Sequence, residues 1–390
     1  MTAVPDTERS NSRNATLDGL RGLAVFLVVL AHVWIVYPFD RLEDIAPLDG
    51  WFRGGNIAVS MLLVLSGFLF TRSLLRAHET SGPSGLLGPL LRRTLRISAQ
   101  IYLVLLAVLV LAEVDSTDTT SPDTNTRSAV AIGTYTWNWY VRDHALDARP
   151  DLGHLWYLNA ELHVFLLLTL AIAFWGRRRT LLTIGVVALI AAVTWWRWYV
   201  HDTEGWYSAS LRTSTRADAA LYGVLAGLMW DRVQQWRREA PAAAGASALL
   251  IIGTIFSCSM LGIDAYFKGQ GIVIAFATAV FVVAASMGGT DGGPVGRLFG
   301  SAPLTRLGTV SLTLYVWHLP VYWFMSRHTK DWSNLSRAMA TAAVLIVLVS
   351  LVHRFVDEPV RRWTSNLMRK EGNSSPTSRP ASRTRSSRSS

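Results

Sequence analysis

The sequence predicts an all-α fold, a polytopic transmembrane helical bundle of about ten spans. Three observations carry that expectation. Of 390 residues, 51% are apolar and only 16% are charged, against roughly 25% charged in an ordinary soluble domain. Sixteen tryptophans suit a chain that meets membrane–water interfaces, where Trp is enriched. Ten apolar runs approach the roughly 20 residues that cross a bilayer as a helix. The same numbers exclude other classes. A net charge of +10 on so few charged residues is not the pattern of a soluble nucleic-acid binder, which spreads basic patches over a polar surface. One cysteine, Cys258, excludes an intrachain disulfide framework and a multi-cysteine metal site.

The runs fall at 19–37, 57–75, 97–112, 153–175, 180–200, 216–233, 242–261, 271–287, 307–325 and 337–356. The third and eighth are short for a span. No repeat of 20–50 residues is visible, which removes solenoids and propellers. The first run follows a polar N-terminus and lacks a small-x-small cleavage pattern, so no signal peptide is expected.

Lysine and arginine in the short loops set the orientation. Residues 72–96, from the end of the second run to the start of the third, hold Arg72, Arg76, Arg92, Arg93 and Arg96, and Arg177, Arg178 and Arg179 lie between the fourth and fifth. Arg232, Arg237 and Arg238 follow the sixth run or close it, and Arg297 and Arg306 precede the ninth. That side is expected to be cytoplasmic, and ten spans place both termini there. The expected organisation is a cytoplasmic segment at 1–16, a transmembrane domain at 17–363 and a disordered basic cytoplasmic tail at 364–390. The tail carries six basic residues and one acid and has too little apolar surface to fold. The loop at 113–152 faces outward and is acidic. Its Tyr135, Trp137, Trp139 and Tyr140 fit a sugar-stacking platform or an aromatic belt on the membrane.

Ionisable groups inside apolar runs are costly and therefore candidates for function. The first run opens Leu17-Asp18-Gly19-Leu20-Arg21-Gly22 and continues apolar to His32. Arg21 and His32 share a helix face, about 20° apart after three turns, and lie about 16 Å apart along the axis. They cannot touch. The spacing reads as an anion site at the cytoplasmic mouth leading to a base near mid-membrane. A positive-inside anchor and an interhelical hydrogen bond are the plain alternatives. The fourth run opens His154-Leu155-Trp156-Tyr157-Leu158-Asn159-Ala160-Glu161, with Glu161 two to three turns in from the outer face. Glu161 and His163 point to opposite sides, which argues against a paired metal site. Arg216 and Asp218 read as local charge compensation. In the ninth run Ser311, Tyr315 and His318 lie near one face, and Pro320 frees backbone carbonyls that a membrane span must satisfy again. Together these groups suit acyl transfer: an imidazole to take a hydroxyl proton, a carboxylate to orient or pair with it, and donors for an oxyanion.

In this order the motifs resemble the acyltransferase-3 family of integral-membrane O-acyltransferases. Arg21 and His32 resemble its basic-x10-His signature. Val64-Leu65-Ser66-Gly67-Phe68-Leu69 is similar to the end of its second helix, and Arg93 and Arg96 to its R-x-x-R segment. Trp156, Leu158 and Glu161 resemble its W-x-L-x-x-E pattern, and Arg216, Asp218, Ala219 and Gly223 its R-x-D-A helix. Ser311, Leu314, Tyr315, Trp317 and His318 resemble its S-x-x-L-Y-x-W-H stretch, and Arg354 to Pro359 its closing segment. Ser98-Ala99 stands where the family often has Pro. Asp357-Glu358 stands where it usually has Glu and a basic residue, and 54–59 is also atypical. The resemblance covers 17 to about 363 and leaves no room for the esterase-like domain fused in some members.

The resemblance implies transfer of an acyl group, often acetyl, from acyl-CoA as co-substrate to a hydroxyl of a surface glycan, glycolipid or small molecule. No bound cofactor, metal or nucleic acid is implied. On this reading His32, Glu161 and His318 are the catalytic candidates. Arg21, Arg93, Arg96, Tyr315, Trp156 and Asp18 are the substrate-binding candidates, with the arginines suited to grip phosphate. A transporter or flippase for a glycan or lipid precursor is the alternative, although no matching halves are visible.

Overall fold

A computed structural model describes residues 14–38, 45–46 and 49–373, and among them the regular secondary structure is all helical. Ten long helices coincide with the ten expected runs. They are α1 (Ala15–Val36), α2 (Gly55–Ser81), α3 (Leu87–Val114), α4 (Trp156–Trp175), α5 (Arg179–Leu211), α6 (Thr213–Leu228), α7 (Ala240–Leu261), α8 (Gly271–Ser286), α9 (Ala302–His328) and α10 (Asn334–Val352). Among the described residues, seven helical stretches are long and apolar enough to cross a membrane, not ten. One of them, Gly55–Val114, contains both α2 and α3, joined through a 3-10 turn at Gly82–Leu86. The other difference is polarity and length. α6 has only 16 residues, and α9 carries Arg306, Ser311, His318 and Pro320 within its length.

Local chemistry sets several ends. The Asn14 side chain accepts a hydrogen bond from the Leu17 N–H and caps α1, as N-cap residues do. Gly82 takes φ 64° after α2, a left-handed region favourable to glycine. The basic segment that precedes the third expected run is already helical, so α3 is 28 residues long rather than short.

α1 lies at the centre, packed against α9 and α2, and α2 in turn packs against α6. Backbones meet there directly. A Cβ added to Gly22 would stand 2.0 Å from the Leu304 carbonyl oxygen, and one on Gly308 would stand 1.9 Å from that of Asp18. Small residues are what allow such close helix crossings within a membrane. The periphery is inverted relative to a soluble protein: Ile184, Val187 and Leu189 of α5 and Ile346, Val347 and Leu351 of α10 are exposed. Lipid is the solvent those faces require.

One end of the bundle gathers arginine. Arg179 bonds to Glu79 and to Asp231, drawing the ends of α2 and α5 and the segment after α6 together. The opposite end carries helices Pro122–Gly133 and Trp137–Asp143. Arg149 is buried there and bonds Asp118 at 2.8 Å, Asp151 at 2.7 Å and Asn125 at 2.6 Å. Burial pushes the Asp118 carboxyl up, but hydrogen bonds from Thr120 and Arg149 outweigh it and bring its pKa down to about 2.

Two expectations change here. Trp137 is wholly buried and donates from Nε1 to the Leu152 carbonyl, so it serves neither a sugar platform nor a belt. Its Trp139 neighbour is exposed and stacks on His163. The chain also stays helical past 363, in Glu358–Asn373, where Arg362 pairs with Glu358 and Thr364 is buried. The rest of the expected tail, and residues 1–13 of the expected N-terminal segment, lie outside the described residues.

Candidate active site

α1 serves two cavities. At the arginine end, a narrow cavity of about 80 Å³ is lined by Arg21, Ser66, Arg93, Arg96, Glu161 and Tyr315, among others. Towards the other end, a wider cavity of about 470 Å³ is lined by His32, Asn56, Trp156, Trp206, Tyr266 and Tyr315, among others. Tyr315 is common to both linings. The expected separation of Arg21 from His32 is therefore realised as two compartments on one helix.

Pro320 arranges the histidines. It has no N–H, so the Val316 carbonyl one turn earlier loses its helical partner. His154 Nε2 lies 3.0 Å from that oxygen. His318 Nδ1 lies 2.6 Å from the Tyr315 carbonyl, and the Tyr315 hydroxyl donates to the His154 carbonyl. The ring centroid of His318 is 4.9 Å from that of His32 and 4.8 Å from that of His154.

The carbonyls decide the tautomers, because a carbonyl oxygen only accepts. His32 Nδ1, 2.8 Å from the Val28 carbonyl oxygen, carries its proton there. His318 carries its own on Nδ1, which leaves Nε2 with a lone pair. That lone pair faces His32 Nδ1 at 3.2 Å. His32 Nε2 then holds a free lone pair, on a side chain that lines the wide cavity. A base on Nε2 with an acceptor behind Nδ1 is the arrangement that general-base catalysis needs. His318 supplies part of that acceptor.

Glu161 does not occupy the orienting position expected for it. It is buried and bonded to Arg93 at 2.8 Å, with the Tyr157 hydroxyl also donating to it at 3.2 Å. The burial cost of its charge is met by a guanidinium in the narrow cavity, so it cannot also orient a histidine in the wide one. Arg93 further donates to Ser66 at 3.2 Å. Arg96 grips Asp357 with two hydrogen bonds, at 2.7 and 2.9 Å. The departure from the family pattern at 357 thus supplies the partner of Arg96. Asp18 pairs with Arg21 at 3.2 Å. Trp156 presents its ring to Arg216, 5.5 Å from the centroid. Asp218 does not compensate its neighbour Arg216 by a direct bond. It is hydrogen-bonded to Arg197 of α5, because residues two apart on a helix face different ways.

The sequence profile of the acyltransferase-3 family, described as an acyltransferase domain, matches residues 14–354. The chain belongs to this family. Two relatives are similar over most of it. A peptidoglycan O-acetyltransferase, OatA of Listeria monocytogenes, is 25% identical over 379 residues, which cover 91% of this chain and 57% of that protein. An O-acetyltransferase, OatA of Staphylococcus aureus, is 23% identical over 366 residues, covering 89% of this chain and 57% of its own length. The chain thus spans less than two thirds of the relatives it matches. No solved structure matches.

Three residues of the site escaped the sequence reading as candidates: His154, Tyr157 and Asn56. His154 had a signal, since a proline-freed carbonyl in a membrane span requires a donor. Tyr157 and Asn56 had none, because their roles depend on which helices meet.

Proposed function

We propose that this protein transfers an acyl group, acetyl first of all, from acyl-CoA to a hydroxyl of a cell-surface glycan. The carrying observation is the His32 Nε2 lone pair on the wide cavity, beside a wall shared with an arginine-lined one. In this reading the arginine end and both termini face the cytoplasm. Acyl-CoA enters at Arg21, Arg93 and Arg96, and the acceptor occupies the wide cavity. The acceptor oxygen attacks the thioester carbonyl carbon, and the new C–O bond forms as its proton passes to His32 Nε2. The C–S bond then breaks, and His32 returns the proton to the departing CoA sulfur. His318 Nε2 accepts from His32 Nδ1–H throughout and favours the imidazolium. A glycan acceptor is favoured over a glycolipid or small molecule by the peptidoglycan O-acetyltransferase relative and by the Trp156 and Trp206 walls, which suit sugar faces.

Purified full-length protein in lipid nanodiscs should move label from [14C]acetyl-CoA to chitotetraose, and His32→Ala should not. Label moving into lipid instead would redirect the acceptor. Vesicle uptake of a labelled glycan without acyl transfer would favour the transporter reading.

A further inference from the structure

Asn56 stands in the 54–59 stretch that departs from the family pattern, in the first turn of α2, and it lines the wide cavity. Its Oδ1 lies 3.5 Å from Arg216 Nη1, and its carbonyl oxygen 3.3 Å from Arg216 Nη2. An arginine only donates, so the amide atom facing it is the oxygen. The two Nδ2 hydrogens are then not used by Arg216, on a side chain that lines the wide cavity. His32 lines the same cavity, and the helices that carry the two residues are in contact: a Cβ added to Gly55 would stand 3.1 Å from the Cβ of Ala31.

The charge behind Asn56 is unbalanced. Arg197, Arg216 and Asp218 are all wholly buried, so two guanidiniums share one carboxylate, leaving one positive charge in excess. Arg216 Nε has no partner among the described residues, nor do Nε and Nη2 of Arg197. Arg216 also lies over the Tyr266 ring, 4.5 Å from its centroid, and Tyr266 and Trp156 stand in the cavity wall. The 27-residue helix α2 begins at Gly55 without a side-chain cap, which adds the positive end of its dipole. A buried excess charge is costly unless negative charge meets it. Arg216 does not itself line the cavity, so a ligand reaches its field through Asn56.

We propose that Asn56 is the oxyanion donor of the wide cavity and that Arg216 is its positioning residue. This rests on the acyl-transfer reading above. When the acceptor oxygen bonds to the acyl carbon, the carbonyl electron pair moves onto oxygen, and Asn56 Nδ2–H donates to that oxyanion. The pair returns as the C–S bond breaks and the CoA sulfur takes the proton from His32 Nε2. Arg216 polarises the Asn56 amide and holds its orientation.

The test uses full-length protein in nanodiscs, acetyl-CoA and chitotetraose, with released CoA thiol as readout. Asn56→Ala should lower kcat by about 10²–10³-fold, the cost of losing one oxyanion donor, while KM for both substrates stays within about twofold. The near-isosteric Asn56→Asp, which places an acceptor where a donor is needed, should lose at least as much. It decides the matter if Asn56→Ala does not fold. Arg216→Lys should lower kcat, again with both KM values held. A kcat equal to wild type in Asn56→Ala or Asn56→Asp overturns the assignment. So does a raised chitotetraose KM with kcat intact, which would make Asn56 an acceptor-binding group. A wild-type protein that releases no CoA overturns the acyl-transfer reading and this assignment together. An active wild type matched by both variants removes the assignment alone.

Discussion

The two cavities on α1 handle charge in opposite ways. In the narrow one, three of the four lining arginines meet a carboxylate: Arg21 with Asp18, Arg93 with Glu161 and Arg96 with Asp357. In the wide one, the candidate base His32 is held by one carbonyl and a second imidazole, and the surroundings are largely apolar. The difference teaches that a row of arginines is not by itself a free anion site. Much of its charge is already spent, with Arg93 and Arg96 tying α3 to α4 and to the C-terminal segment. An anion bound there must therefore share those guanidiniums with carboxylates, whereas the wide cavity offers the His32 Nε2 lone pair.

That contrast can be broken by substitution, and the largest effect belongs to the base. His32→Ala should lower kcat by about 10²–10⁴-fold, the usual contribution of a general base, with protein yield unchanged, as read by label transfer and detergent-resistant monodispersity. His318→Ala should cost less, because Val28 still accepts from His32 Nδ1. Equal loss in both would make the pair a single unit. Next comes packing. Gly22→Ala forces a methyl group into the Leu304 backbone, and overpacking of this kind costs about 1–3 kcal/mol; thermal unfolding would show it as a lowered midpoint.

On the paired side, the prediction concerns stability before kinetics. Glu161→Gln leaves Arg93 without its counter-charge, and an abandoned partner costs about 1–3 kcal/mol. The acyl-CoA KM should fall or hold, since Arg93 becomes available to phosphate. A large KM increase would show that Glu161 itself touches the donor. The smallest effect lies at the end of the bundle opposite the arginine cluster. Asp118, with its folded pKa down near 2, against about 3.9 unfolded, stabilises the protein above the unfolded value. That contribution should fade as pH falls from about 4 towards 2. Thermal midpoints measured across that window should drop more steeply for wild type than for Asp118→Asn, and parallel curves would exclude the role.

Much of this was legible from residue order. Spans show as apolar runs because lipid imposes length and composition on a helix. Arg21 and His32 could be placed on one face at two depths from helix geometry alone, and the structure keeps them so. The count of membrane-crossing stretches was less legible, because α6 and α9 bury polar groups inside the bundle and lose the apolar signature. Partnerships were the least legible. Asp218 with Arg197, Arg96 with Asp357 and Glu161 with Arg93 are contacts across 21, 261 and 68 residues. Neither periodicity nor spacing reports which helices will meet. Trp137 misled for the same reason: its burial depends on the loop that folds back over it.

The glycine crossing of α1 and α9 carries a mechanical consequence. Gly22 and Gly308 lock the two helices backbone to backbone, so His32 and His318 ride on one strut. A bilayer that thickens or thins is accommodated by helix tilt, and tilt of a locked pair leaves its internal distances intact. Strain from the membrane then falls on the outlying helices, α5 and α10, and spares the imidazole pair.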